Sequence, residues 1–177
     1  MRCFIAIEIP DECRQELLSA QEKLKKVPGL RAKFVEHGNF HLTLRFLDEL
    51  SDSQIKKIKE ILAKIKFKAF KAHFGKVGVF PSASYVRVIW ISLEPSEEVK
   101  RLARKVNEAL GTRDEKFESH VTLARVKEVI NQRALEKSLD SMGLEEKEFE
   151  IKEFKLKKST LTPRGPIYED ICTFPLK

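Results

Sequence analysis

A chain of 177 residues, 42% of them apolar, is long enough to bury a full core as one domain or as two small packed lobes. No run approaches the roughly 18 apolar residues of a membrane span, and the opening Met1-Arg2-Cys3-Phe4-Ile5-Ala6-Ile7-Glu8 is charged too soon for a signal peptide, so a cytoplasmic protein without membrane contact is expected. The net charge of +7 favours a polyanionic partner, and the 34% of charged residues, dominated by Lys and Glu, follows the bias of thermophilic proteins.

In chain order, Arg2 to Ile9 alternates, with Phe4, Ala6 and Glu8 on one face and Cys3, Ile5 and Ile7 on the other, and reads as a strand closed by Pro10. Asp11 is the expected cap of a helix striped by Cys13, Leu17, Ala20, Leu24 and Val27, which ends near Pro28-Gly29. A short extended piece (32–35) and the turn His37-Gly38-Asn39 lead to a strand from Phe40 to Leu47. Ser51-Asp52-Ser53-Gln54 has the form of a capping box before a helix striped by Ile55, Ile58, Leu62 and Ile65. Phe67 to Phe80 is strand-like and Tyr85 to Leu93 is a strand rich in β-branched and aromatic residues. Ser96 is the expected cap of a third helix, ended by Gly111, and a strand from about Phe117 to Val126 follows. Asn131 opens a fourth helix that Gly143 closes, and Phe149 to Leu161 with Ile167 to Phe174 forms a last hairpin around Thr162-Pro163-Arg164-Gly165-Pro166.

Residues 1–80 therefore read strand, helix, strand, helix, strand, and residues 84–160 repeat that order, with a closing strand over 165–175. The expectation is a single bilobal domain over 1–177 of α+β class, with two similar lobes related by a pseudo-twofold axis, each a mainly antiparallel sheet backed by two helices, and a cleft between them. Cys3, Cys13 and Cys172 lack metal-ligand spacing and read as free thiols, although a bridge between Cys3 and Cys172 stays open.

The third element of each repeat carries the same motif: Phe40-His41-Leu42-Thr43-Leu44-Arg45 and Ser119-His120-Val121-Thr122-Leu123-Ala124-Arg125, with the two histidines 79 residues apart. With 4 His and 6 Thr in the chain, two chance His-x-Thr pairings have a probability on the order of 1%. In a strand, residues two apart share a face, so each motif offers an imidazole and a hydroxyl to one space while Leu42, Leu44, Val121 and Leu123 anchor the opposite face. Two such pairs suit a phosphodiester: one neutral imidazole takes a proton from the attacking oxygen, an imidazolium protonates the leaving oxygen, and the hydroxyls bond the non-bridging oxygens. Zinc is the rival use of these side chains, but two His without Cys or a spaced carboxylate make an incomplete ligand set, so no metal and no cofactor are expected.

These motifs, with the opening Arg2-Cys3-Phe4-Ile5-Ala6-Ile7 and the Pro163-Arg164-Gly165-Pro166 turn, resemble the two-histidine phosphoesterases, and within them the LigT-like RNA 2′,3′-cyclic phosphodiesterases, also called 2′-5′ RNA ligases. The resemblance implies metal-independent hydrolysis of a terminal 2′,3′-cyclic phosphate to a 2′-phosphate. It also implies, in some members, reversible ATP-independent joining to a 5′-hydroxyl RNA end. It makes His41 the proton donor and His120 the proton acceptor, with Thr43 and Thr122 holding the phosphate. Ser119 stands where such proteins often have Pro before the second His.

Arg125 matches a family arginine suited to phosphate, yet strict alternation from His120 puts it on the apolar face unless the strand bulges. Phe4, Phe46 and Tyr168 are candidate base-stacking surfaces, and Arg2, Arg45 and Arg164 candidate phosphate contacts. The Lys-rich runs 56–59, 64–68 and 155–158 read as solvated faces or as a track for an RNA backbone. The alternatives are an esterase of small cyclic nucleotides or cyclic sugar phosphates, and a non-catalytic RNA-end-binding module. A monomer is expected.

Overall fold

The computed structural model describes residues 1–113, 116–145 and 147–177. Nine strands and four helices are described: β1 (Arg2–Glu8), α1 (Asp11–Lys25), β2 (Leu30–Phe34), β3 (His41–Glu49), α2 (Asp52–Leu62), β4 (Phe70–Ser82), β5 (Tyr85–Glu94), α3 (Ser96–Ala109), β6 (His120–Val129), α4 (Gln132–Asp140), β7 (Phe149–Ile151), β8 (Glu153–Thr162) and β9 (Gly165–Pro175). A 3₁₀ turn over His37–Asn39 leads into β3.

The strands form two antiparallel sheets, one in the order β3-β1-β8-β9 and the other in the order β2-β6-β5-β4-β7. The repeated element order is present, and each repeat gives its last long strand to the other sheet. Thus β4 joins β5 and β6, and β8 joins β1 and β3. The series β3-β1-β8 is matched by β6-β5-β4, as a pseudo-twofold axis requires. The two sequence repeats and the two sheets are therefore different partitions of the chain.

The helices cross over too. Helix α1 packs against β2 and β6, and α3 against β3 and β5, so each long helix touches a strand of the opposite repeat. One apolar cluster runs under both sheets, from Ile5, Ile7, Leu42 and Leu44 to Ile89, Ile91, Val121 and Leu123.

Local signals were largely as the residues demand. Ser51 makes the capping box: its hydroxyl accepts from the Gln54 N–H at 3.3 Å, and Gln54 Oε1 accepts from the Ser51 N–H at 2.8 Å. Asn131 caps α4 through the Ala134 N–H at 3.0 Å. The other two expected caps differ. Asp11 and Ser96 are the first residues of their helices, after Pro10 and Pro95, and neither side chain caps. Acidic first turns (Asp11-Glu12 and Glu97-Glu98) complement the helix dipoles instead, and Glu94 Oε2 accepts the Ser96 N–H at 2.7 Å.

The strand expected over 149–161 is two strands. It breaks at Lys152, so that β7 pairs with β4 and β8 with β1, a change of sheet that a continuous apolar alternation does not reveal. All three cysteines are free, with Cys3 and Cys13 buried.

Gln21 joins the layers. It is 2% exposed, and its Nε2 donates to Val35 O and to Leu123 O, both at 2.8 Å, tying α1 to β6 and to the residue that follows β2 beside it. Replacing Gln21 by Leu keeps the volume and strips both carbonyls of this donor. The expected outcome is a loss of about 1–3 kcal/mol in unfolding free energy, read as a lower urea midpoint at unchanged slope.

Candidate active site

Along β3 and β6 the motif residues alternate as strands dictate. Leu42, Leu44, Val121 and Leu123 are buried in the core, and His41, Thr43, His120 and Thr122 are half-buried on the other face. Each strand then breaks its alternation just after its motif threonine, at the same place. Ala6 pairs with Thr43 and Ile5 with Arg45, leaving Leu44 as an extra residue. Trp90 pairs with Thr122 and Ile89 with Ala124, leaving Leu123 extra. A β-bulge shifts the phase by one residue, so Phe46 and Arg125, each five positions after its histidine, return to the histidine's face. Strict alternation would bury Arg125 on the apolar side; the bulge at Leu123 is why it lies in the cleft instead.

That cleft, about 970 Å³, is lined by His41, Thr43, His120, Thr122 and Arg125, and by Phe4, Phe46 and Tyr168. Arg2 and Arg45 also line it, whereas Arg164 and the lysine runs do not. Lys56, Lys57 and Lys59 lie on the exposed side of α2. Of the remaining histidines, His37 sits in the 3₁₀ turn, and His73 Nδ1 lies 3.0 Å from Phe74 O.

Both motif imidazoles are held alike. His41 Nδ1 lies 2.7 Å from Asn39 O, and His120 Nδ1 lies 2.8 Å from Glu118 O. A carbonyl only accepts, so the hydrogen sits on Nδ1 in each neutral ring and Nε2 keeps its lone pair. Sequence reasoning missed Asn39, whose carbonyl orients His41 while its side-chain Nδ2 donates to Pro166 O at 3.0 Å, bracing the β8-β9 turn. The signal was its place two residues before the histidine.

Aromatic rings complete the clamps. Phe4 and Tyr168 lie 5.0 and 5.1 Å from the His41 ring, and Phe80 and Trp90 lie 5.0 and 6.1 Å from the His120 ring. Gly78 makes room for the indole: a Cβ there would come within 2.3 Å of the Trp90 ring.

Behind the rings the two walls differ. Glu8 is opposite His41, and Lys155 and Lys157 on β8 face Ala6 and Phe4. The matching places behind His120 hold Ser92, Gly78 and Phe80. Lys157, 5% exposed, pairs with Asp170 and lies 3.6 Å from Glu8, and Lys155 pairs with Glu8 and, at 2.8 Å, with Asp170. The run 155–158 thus contains a buried cation, an outcome its composition hides.

These surroundings act on the imidazoles. Burial pushes His41 down to about 4, with Lys157 and Arg125 adding to the fall and the Asn39 carbonyl and Glu8 opposing it. Burial also lowers His120, with Arg125 adding to it and the Glu118 carbonyl opposing. Among the described residues no group of three or more His, Cys, Asp or Glu is placed to hold a metal ion.

A duplicated α+β fold that brings one His-x-Thr strand from each repeat to a single cleft defines the two-histidine phosphoesterase class. The LigT like Phosphoesterase family matches this sequence twice, over residues 7–90 and again over 91–168, and the chain belongs to that family. It is 38% identical to the RNA 2′,3′-cyclic phosphodiesterase of Archaeoglobus fulgidus over 98% of this chain and 99% of that one. It is 35% identical to the protein of the same name from Methanocaldococcus jannaschii over 97% and 98% of the two chains. A crystal structure from Thermus thermophilus superposes with a TM-score of 0.81 at 28% identity, covering 99% of this chain and 98% of that one. Escherichia coli LigT in its apo form shares the fold, with a TM-score of 0.78 at 22% identity over 99% and 96% of the chains. No helix of the described residues is long and apolar enough to cross a membrane.

The depressed His41 predicts a pH-dependent stability. The unfolded chain protonates this imidazole from its ordinary value of 6.5 downward and the folded chain only near 4, so folded-state stability falls as the pH drops through that window. Relative to His41→Gln, the protein is expected to lose on the order of 2 kcal/mol more between those limits, allowing for partial exposure, in denaturant titrations at matched pH.

Proposed function

We propose that this protein hydrolyses the terminal 2′,3′-cyclic phosphate of RNA to a 2′-phosphate. The observation that carries the reading is the pair of imidazoles, each with Nδ1 tied to a backbone carbonyl and Nε2 left for one shared cleft beside a threonine hydroxyl. A module that only binds RNA ends has no need of two proton-transfer groups. The names carried by the Archaeoglobus and Methanocaldococcus relatives support the substrate.

In the proposed reaction His120 Nε2 takes a proton from water as the water oxygen bonds to phosphorus. The bond from phosphorus to the 3′-oxygen breaks, and His41 delivers a proton to that oxygen. Thr43, Thr122 and Arg125 bond the non-bridging oxygens, where negative charge concentrates. With the 5′-hydroxyl of an RNA end attacking phosphorus in place of water and the same 3′-oxygen departing, the same groups make a 2′-5′ linkage without ATP, and the reverse of that step cleaves the linkage back to the cyclic phosphate and the 5′-hydroxyl. Each step uses side chains of the chain itself, and no step calls for a metal ion.

His41 is kept neutral in the free site by burial and by Lys157 and Arg125. The phosphodiester anion supplies the negative charge that favours its imidazolium, so substrate and proton arrive together. The apolar cluster that runs beneath both sheets supports reading residues 1–177 as one bilobal domain.

The test is RNA ending in a 2′,3′-cyclic phosphate, incubated in excess chelator and followed by product analysis. A 2′-phosphate is expected, with rates reduced about 10²–10⁴-fold in His41→Ala and in His120→Ala. Activity that survives both substitutions refutes the site, and loss of activity in chelator returns the zinc alternative. Because the acid is held lower than usual and the base is also depressed, kcat/KM against pH is expected to be a bell with its optimum below 6.5.

A further inference from the structure

We infer that Arg14, on α1, is a positioning residue for His41: one guanidinium holds both the turn that presents the Asn39 carbonyl to the ring and the Glu8 carboxylate opposite it. The inference rests on the proposed phosphodiesterase reading, in which His41 is the acid, and names the group that keeps this acid in place.

Arg14 is 8% exposed, and a cation so deep needs acceptors close by. It has four of them. Its Nε donates to Ile9 O at 2.8 Å and its Nη1 to His37 O at 3.2 Å. Nη1 also pairs with Asp11 at 3.1 Å, and Nη2 with Glu8 Oε1 at 3.5 Å. The planar fork thus joins the residue after β1, the 3₁₀ turn and the cluster of Glu8, Lys155 and Lys157, a span that the single ammonium of a lysine does not cover.

The turn it grips is the one on which His41 depends. His37 stands two residues before Asn39, whose carbonyl at 2.7 Å keeps the hydrogen of the His41 ring on Nδ1. Glu8 faces His41 across β1 and β3 and is one of the charges that act on its ring. Arg14 does not line the cleft, so it acts on His41 through these two groups.

The second wall is braced in another way. Glu8 pairs with His41 and Ser92 with His120, which makes Ile9 and Leu93 equivalent. The Ile9 N–H donates to Phe40 O at 3.3 Å and the Leu93 N–H to Ser119 O at 3.4 Å, each just before the motif histidine. The carbonyl of Ile9 then accepts from Arg14, whereas that of Leu93 accepts from the Ser119 hydroxyl at 2.6 Å. A cation that reaches a charge cluster closes one wall, and a neutral hydroxyl closes the other. Removing Arg14 therefore disturbs the surroundings of His41 and leaves those of His120 intact.

Ring-nitrogen NMR of the intact chain at mildly alkaline pH, where both imidazoles are uncharged, reads the tautomer of each. His41 and His120 are both expected in the Nδ1–H form. In Arg14→Met the Nε2–H form, which a free imidazole prefers, is expected to become the major form of His41, with His120 unchanged. Arg14→Lys keeps the buried charge without the fork; it is expected to shift His41 the same way and decides the matter if Arg14→Met does not fold. A His41 tautomer unchanged in a folded variant, or an equal shift at both rings, overturns the assignment. An Arg14 that served stability alone would lower the urea midpoint and leave both tautomers as they are. Because the rings are read without turnover, a protein that shows these shifts but hydrolyses no cyclic phosphate refutes the phosphodiesterase reading and leaves the role of Arg14 standing.

Discussion

Alternation along two strands, interrupted in each just after the motif threonine, is the constraint on which this molecule is built. A strand has two faces, and β3 and β6 use one for the core and the other for the cleft. The side chains that anchor the protein, Leu42, Leu44, Val121 and Leu123, therefore sit directly behind those that do its proposed chemistry. A shift of one residue in either register would exchange the two sets, placing leucines in the cleft and imidazoles in the core. The core thus enforces the site: the apolar burial that holds each strand also holds its histidine on the cleft side.

Strand exchange extends the same coupling to the whole chain. Because β4 completes the sheet of the second repeat and β8 that of the first, neither half carries all the partners its own strands need. Gln21 and the crossed packing of α1 and α3 bind the halves further. The two walls proposed to flank one phosphate are then joined by shared strands and crossed helices. Packing of these shared elements holds the walls together, as positioning for proton transfer requires.

Much of this was legible. The period-two patterns of β1, β3, β5 and β6, the Ser51 capping box, the Asn131 cap and the repeated order follow from residue chemistry over short stretches. What was hidden depended on distant partners. Arg125 reaches the cleft through a bulge whose existence is a property of the pairing of β6 with β5, not of either strand alone. The exchange of β4 and β8 leaves the order of elements unchanged, so the repeat in sequence is silent about it. Lys157 looks like part of a solvated run until Asp170 and Glu8, from two other strands, come to meet it. Asp11 and Ser96 have good capping chemistry, yet a proline before each fixes the turn so that they fall inside the helix.

The duplication sets a problem that the walls resolve. Two histidines on equivalent strands, each with the same Nδ1 bond to the carbonyl two residues back, would be interchangeable, and a reaction that needs an acid and a base needs them to differ. The difference lies one layer deeper. His41 stands over two cations and two carboxylates that nearly balance, with Lys157 buried among them, while His120 stands over Ser92, Gly78, Phe80 and Trp90. A buried charge cluster is costly to assemble, and removing one member leaves its partner uncompensated, so it is a poor device for stability alone. Beside an imidazole it has another effect: close charges of both signs, fixed in place, make the protonation of that ring responsive to what enters the cleft. In the proposed reaction the phosphodiester anion adds negative charge above His41, where Lys157 and Arg125 oppose protonation, and so favours the imidazolium of the proposed acid. On the other wall the aromatic clamp of Phe80 and Trp90 carries no charge, and Glu118 and Arg125 are the charges that act on His120, the proposed base.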